Sequence, residues 1–160
     1  MQLLNNTTAL FLKNYMETTN GLRLPEVVHS TTPILWLVDK DGLIRFAMEE
    51  VVSNDTGALN YILPRNGPAL RDNEVRLGHP ALLDPVKPGD TKAARIGGEI
   101  IYDPSPNSNI PWVLTNASGR FGKRPHITRA HLENVKEVFA QFGIPLRAFF
   151  VHTPARRGES

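Results

Sequence analysis

Between Thr115 and His131 the chain reads TNASGRFGKRPHITRAH, with four cations, two imidazoles and no carboxylate. Arg120, Lys123 and Arg124 concentrate positive charge. An arginine fork matches a phosphate or carboxylate better than a point charge does. Asn116 and Ser118 can hydrogen-bond to backbone or ligand, and Gly119 and Gly122 let backbone approach a ligand closely. A helix starting near Thr128 would aim its free N–H groups the same way. The pattern predicts an anion site with Asn116, Ser118, Arg120, Lys123, Arg124 and His126 as ligand-binding residues. The phosphate of a nucleotide, a dinucleotide or RNA is the natural anion. The other reading is a solvated basic loop whose Ser and Asn cap a turn. SGRFGKR is neither a Walker loop nor a GxGxxG, so it names no ligand.

Two further positions could carry chemistry. His79, in RLGHPALL, lies between glycine and proline and could position a ligand or act as a base. Glu99 follows Gly97-Gly98 in ARIGGEIIYD. A glycine pair inside an apolar strand weakens packing, so a bulge or a ligand lying against the strand is expected there. Glu99 and His79 are the candidate catalytic residues, although a surface carboxylate and an ordinary loop histidine are the plainer readings. By strand alternation Glu99 and Ile101 face one side, and Gly98, Ile100 and Tyr102 the other. His126 and His131 are five apart, not the i, i+4 of a helical zinc pair, and there is no cysteine; no metal is expected.

The elements that must hold these residues are legible in part. A first helix is predicted from about Asn6 to Thr18, with Leu10, Phe11, Tyr15 and Leu3 or Leu4 at helical spacing. Ile34–Val38 and Leu43–Met48 flank DKDG as a hairpin, Asp41-Gly42 supplying the positive φ of the turn. From Ser53 to Asp90 repeated prolines and glycines forbid long regular elements. Strands follow at Ile96–Tyr102 and in WVLTN. TRAHLENVKEVFAQFG is a helix with Thr128 as N-cap, Gly143 at C′, and an apolar stripe of Leu132, Val135, Val138, Phe139 and Phe142. LRAFFV reads as a buried final strand. Trp36 and Trp112 read as core residues. Strands joined mainly by turns give an α+β class, an antiparallel or mixed sheet with an N-terminal helix and one C-terminal helix packed on it. The expected organisation is one domain over residues 1–152 and a flexible basic tail over 153–160.

The chain has 160 residues, 41% hydrophobic, enough for one domain with a real core. No apolar run is long enough to span a membrane, and no membrane partner is expected. The N-terminal stretch lacks the features of a cleaved signal, which suits the cytoplasm or delivery into a target cell without such a signal. Residues 1–60 hold 4 basic and 7 acidic groups, and residues 61–160 hold 14 and 9. The basic surplus sits with the second half, where an anionic partner is expected.

The second half, roughly Leu77–Val151, resembles a module found in secreted bacterial polymorphic toxins and in plant IQ-motif proteins. The resemblance rests on LGHPALL, ARIGGEIIY, TNASGRFG and HLENVKEVFAQFGIPLRAFFV. Where the family's turn more often reads Ser-Gly-His-Tyr, this chain has Ser118-Gly119-Arg120-Phe121, which removes an imidazole and a phenol. The resemblance implies a bacterial effector or toxin domain delivered into another cell. The expected activity is binding of a nucleotide-like anion, with NAD as cofactor of an ADP-ribosyl transfer. Arg120, Lys123 and Arg124 would then hold phosphates, His79 a ribose or base, and Glu99 the charge developing at the ribose carbon. A metal-independent ribonuclease toxin using His79, His126 and His131 on RNA is the alternative. The other is a non-enzymatic immunity or adaptor protein, binding a cognate partner through Asp39, Asp41, Glu49 and Glu50.

Overall fold

The computed structural model describes residues 2–17, 32–48, 50–53, 59–62, 74–77, 94–118, 121–122 and 124–152. Their order is β1 (Gln2–Leu3), α1 (Asn6–Glu17), β2 (Ile34–Asp39), β3 (Ile44–Met48), β4 (Glu50–Ser53), β5 (Leu59–Ile62), β6 (Glu74–Leu77), β7 (Ala94–Tyr102), β8 (Trp112–Thr115), α2 (Arg129–Gln141) and β9 (Arg147–Phe149). Six strands form a mixed sheet in the order β1-β3-β2-β7-β8-β9, antiparallel except for β8 with β9. With a helix towards each end, this is an α+β fold. A second sheet, β5-β4-β6, takes β5 and β6 from the proline- and glycine-rich stretch and β4 from the residues just before it. Its strands have four residues each, and the turn formers around β5 and β6 mask them in the sequence.

The β2–β3 hairpin forms as its sequence requires. Asp39 Oδ1 accepts the N–H groups of Asp41 and Leu43, at 2.9 and 3.0 Å, and Gly42 takes φ +84°. Asp39 is 4% exposed and paired with Arg45 at 3.1 Å, so it faces inward and offers no contact surface. The helices also have legible ends. Asn5 Oδ1 caps α1 through the N–H groups of Thr7 and Thr8. After α2, Gly143 at φ +82° donates to Ala140 and Ile144 donates to Phe139, a Schellman ending.

The large core lies on one face of the sheet. Ile34 and Trp36 of β2, Ile96 and Ile100 of β7 and Leu114 of β8 meet Leu12 and Met16 of α1 and Leu132, Val135 and Phe139 of α2. The α2 stripe is the one its sequence predicts. In α1 the buried residues are Ala9, Leu12 and Met16, while Leu10 and Phe11 are 62% and 71% exposed. The expected α1 stripe is therefore corrected at Leu10 and Phe11, which face outward, while Leu4 is buried and Tyr15 packs against the core. Both tryptophans are buried with their N–H groups used, Trp36 on the Thr115 carbonyl and Trp112 on the Met16 carbonyl. β9 is also corrected. It is a half-covered edge strand with Phe149 62% exposed, since it pairs only with β8.

The opposite face carries Leu35, Leu37 and Ala94, closed by Phe121. Phe121 reaches them because the chain leaving β8 folds back across the glycine pair. A Cβ on Gly98 would stand 1.7 Å from the Thr115 carbonyl oxygen, and one on Gly122 would stand 2.0 Å from that of Asn116. The protein's own backbone is thus the close neighbour that the strand glycines make room for. The 153–160 tail lies outside the described residues.

Candidate functional site

The described part of the basic stretch divides into two places. Asn116 and Ser118, both predicted ligand contacts, are 1% and 4% exposed. Asn116 Nδ2 donates to the carbonyls of Gly122 (3.0 Å) and Val151 (2.9 Å), and its Oδ1 accepts the Val151 N–H (2.6 Å). Both amide protons are spent tying the residues after β8 to Val151, just beyond β9. Ser118 Oγ accepts the Phe121 N–H at 3.2 Å. Arg124 donates to the Ala94 carbonyl at 3.3 Å, with its guanidinium 5.3 Å from the centre of the Phe121 ring. These three residues hold Phe121 and Gly122 over the small core. Arg120 and Lys123 lie outside the described residues, as does His79.

His126 goes elsewhere. Buried Ile127 anchors the chain beside it, with its N–H on the Arg124 carbonyl at 3.0 Å. His126 then borders a cavity of about 460 Å³ with Val38, Arg95, Ile96, Ile127, His131, Asn134 and Val135. Val38, Ile96, Ile127 and Val135 supply an apolar wall; Arg95, His126, His131 and Asn134 supply polar groups. His131, Asn134 and Val135 share a helix face because residues three and four apart are neighbours there.

Arg95 enters by a different device. Val38 pairs with Ile96 but Asp39 pairs with Ala94, so Arg95 is the extra residue of a β-bulge. A bulge re-aims the side chain it carries. Arg95 therefore joins Ile96 at the cavity, while its Nη2 donates to the Lys40 carbonyl at 2.9 Å.

Glu99 is not in this site. It pairs opposite Leu35, whose side chain packs with Leu37, Ala94 and Phe121 on the other face of the sheet. The structure thus separates Glu99 from His126, and it joins His126 to His131. Arg95 and Asn134 were not singled out from sequence. Asn134 could have been found as the i+3 neighbour of His131; the bulge that places Arg95 leaves no local mark.

Among the described residues no three His, Asp or Glu side chains are grouped to hold a metal ion, and no helix is long and apolar enough to cross a membrane. A second cavity, of about 200 Å³, lies beside α1 and Trp112 and carries one lysine and one carboxylate, Lys13 and Glu17, 4.0 Å apart. No protein-family model, curated protein or solved structure matches this chain.

Proposed function

We propose that the chain binds a nucleotide-like, phosphate-bearing ligand in the cavity bordered by His126 and His131. One observation carries the reading: an apolar wall ringed by a guanidinium, two imidazoles and an amide in about 460 Å³. Small-molecule sites combine an apolar lining with a few convergent polar groups, in volumes of roughly 300–1,000 Å³. A nucleotide divides the same way, into a flat base for Val38, Ile96, Ile127 and Val135 and an anion for Arg95 and the histidines. The resemblance of the second half to toxin modules supports placing this binding in an effector or toxin-type domain delivered to another cell.

Glu99 does not serve this cavity, so an ADP-ribosyl transfer run here would need another carboxylate. NAD stays among the ligands to be tried. The ribonuclease reading gains from the meeting of His126 and His131 in one cavity. It predicts RNA cleavage that persists in chelator. The immunity or adaptor reading predicts no ligand, no cleavage and no growth arrest on expression in bacteria.

The test is thermal unfolding of the purified chain with NAD, ADP-ribose, ATP and a short RNA. A ligand at 100 times its Kd stabilises by about 2.7 kcal/mol. The expected result is stabilisation by at least one of the four, lost in His126→Ala and weakened in Arg95→Ala. His126 is exposed, so its replacement leaves the core intact. No stabilisation by any of the four would sink the proposal.

A further inference from the structure

His131 is tied by one ring nitrogen before any ligand arrives. Its Nδ1 lies 3.0 Å from the backbone nitrogen of Thr128, the N-cap of α2. A backbone amide can only donate, so in this bond Nδ1 offers its lone pair and the ring proton sits on Nε2; the Thr128 hydroxyl, 3.4 Å from the same nitrogen, can turn to donate as well. The third helical position usually gives this bond to a glutamate or glutamine. Here an imidazole takes it, on a residue that also borders the cavity.

We infer that His131 is a ligand-positioning residue. Its neutral Nε2–H is held as a fixed hydrogen-bond donor to a phosphate oxygen, and it is not an acid or base. This rests on the cavity being the ligand site. As an acid, the neutral ring would leave an imidazolate. As a base it would need its proton on Nδ1, where it would face the Thr128 N–H donor to donor. The atom opposite Nε2 must therefore be an acceptor, and the phosphate drawn by Arg95 supplies one. Proton transfer in this cavity falls to His126. An RNA-cleaving site would then have one exchangeable imidazole here, not two.

Glutamine and glutamate at 131 separate the roles. Either can accept the Thr128 N–H, so both should preserve the start of α2. Only glutamine also offers a neutral donor, and neither relays a proton as imidazole does. The measurements are nitrogen-15 NMR of the histidine ring in the free chain, in mildly alkaline solution, and titrations with inorganic phosphate and a nucleoside monophosphate. The expected ring signals are those of the Nε2–H tautomer. His131→Gln should bind within about three-fold of wild type, and His131→Glu should bind at least about ten-fold more weakly while unfolding normally, as loss of a charge-assisted hydrogen bond implies. An Nδ1–H tautomer, or a glutamine variant that loses binding as fully as the glutamate one, overturns the inference. So does a glutamate variant that binds like wild type. A wild-type chain that binds neither probe removes the cavity reading and the ligand role with it, while the NMR result still decides the tautomer.

Discussion

Asn116→Ala separates a structural residue from a ligand contact. In the folded chain the Asn116 side chain makes three hydrogen bonds, two to carbonyls of Gly122 and Val151 and one from the Val151 N–H. Each hydrogen bond contributes about 1 kcal/mol net, so their sum is about 3 kcal/mol. Val151 is half-exposed and water can replace its lost partners, whereas Gly122 is buried. An orphaned Gly122 carbonyl would add about 1–3 kcal/mol more. For a chain of this size the total of about 4–6 kcal/mol lowers Tm by roughly 8–24 °C. The assay is urea or thermal unfolding followed by circular dichroism, with ligand titration of the surviving folded chain. A variant that unfolds within about 0.5 kcal/mol of wild type, the range of neutral surface changes, yet loses ligand binding would refute the reasoning. It would return Asn116 to the anion site its sequence context suggests.

Gly98→Ala should be far more damaging than Gly97→Ala. The added Cβ meets the Thr115 carbonyl oxygen at 1.7 Å in the first case and Phe121 Cβ at 3.1 Å in the second; comparative urea midpoints check the order. The Asp39 carboxyl gives a pH signature. Burial alone would raise its pKa, but hydrogen bonds from the Leu43 N–H, the Arg45 side chain and the Asp41 N–H, with the Arg45 charge, hold it below the usual aspartate value. A depressed folded value means stability that is full above the unfolded pKa and lost as pH falls through the folded one. The stability gap between wild type and Asp39→Asn should therefore be widest near neutrality and close progressively below about pH 4 in unfolding titrations. Trp36→Phe should lose about 1 kcal/mol for the buried bond to the Thr115 carbonyl, read by the same unfolding measurement.

Much of the framework could be read locally, because local chemistry decides it. A turn with glycine at its tip, an apolar run on each side, an N-cap threonine and a C′ glycine act within a few residues of themselves. They placed the hairpin, β7, β8 and α2. The failures have identifiable causes too. The α1 sequence offers apolar residues on two sides, and only the packing of Ala9, Leu12 and Met16 against the sheet chooses between them. In the small sheet, β5 and β6 are four-residue runs set among prolines and glycines, whose turn signals mask them.

The site was less legible. Seventeen residues with four cations and two imidazoles looked like one cradle, because nothing in a linear sequence says which side of a sheet a loop will serve. The sequence by itself determined the supply: the basic stretch, the strand glycines, the helix that begins at Thr128, and the α+β class. The tertiary structure decided the allocation. The return of the chain over Gly97-Gly98 committed Asn116, Ser118 and Arg124 to one face, and the bulge at Arg95 with the α2 face of His131 and Asn134 built the cavity on the other. Side chains alternate about a sheet, so neighbours in sequence can be strangers in space, and only the pairing of β7 with β2 and β8 fixes which ones meet.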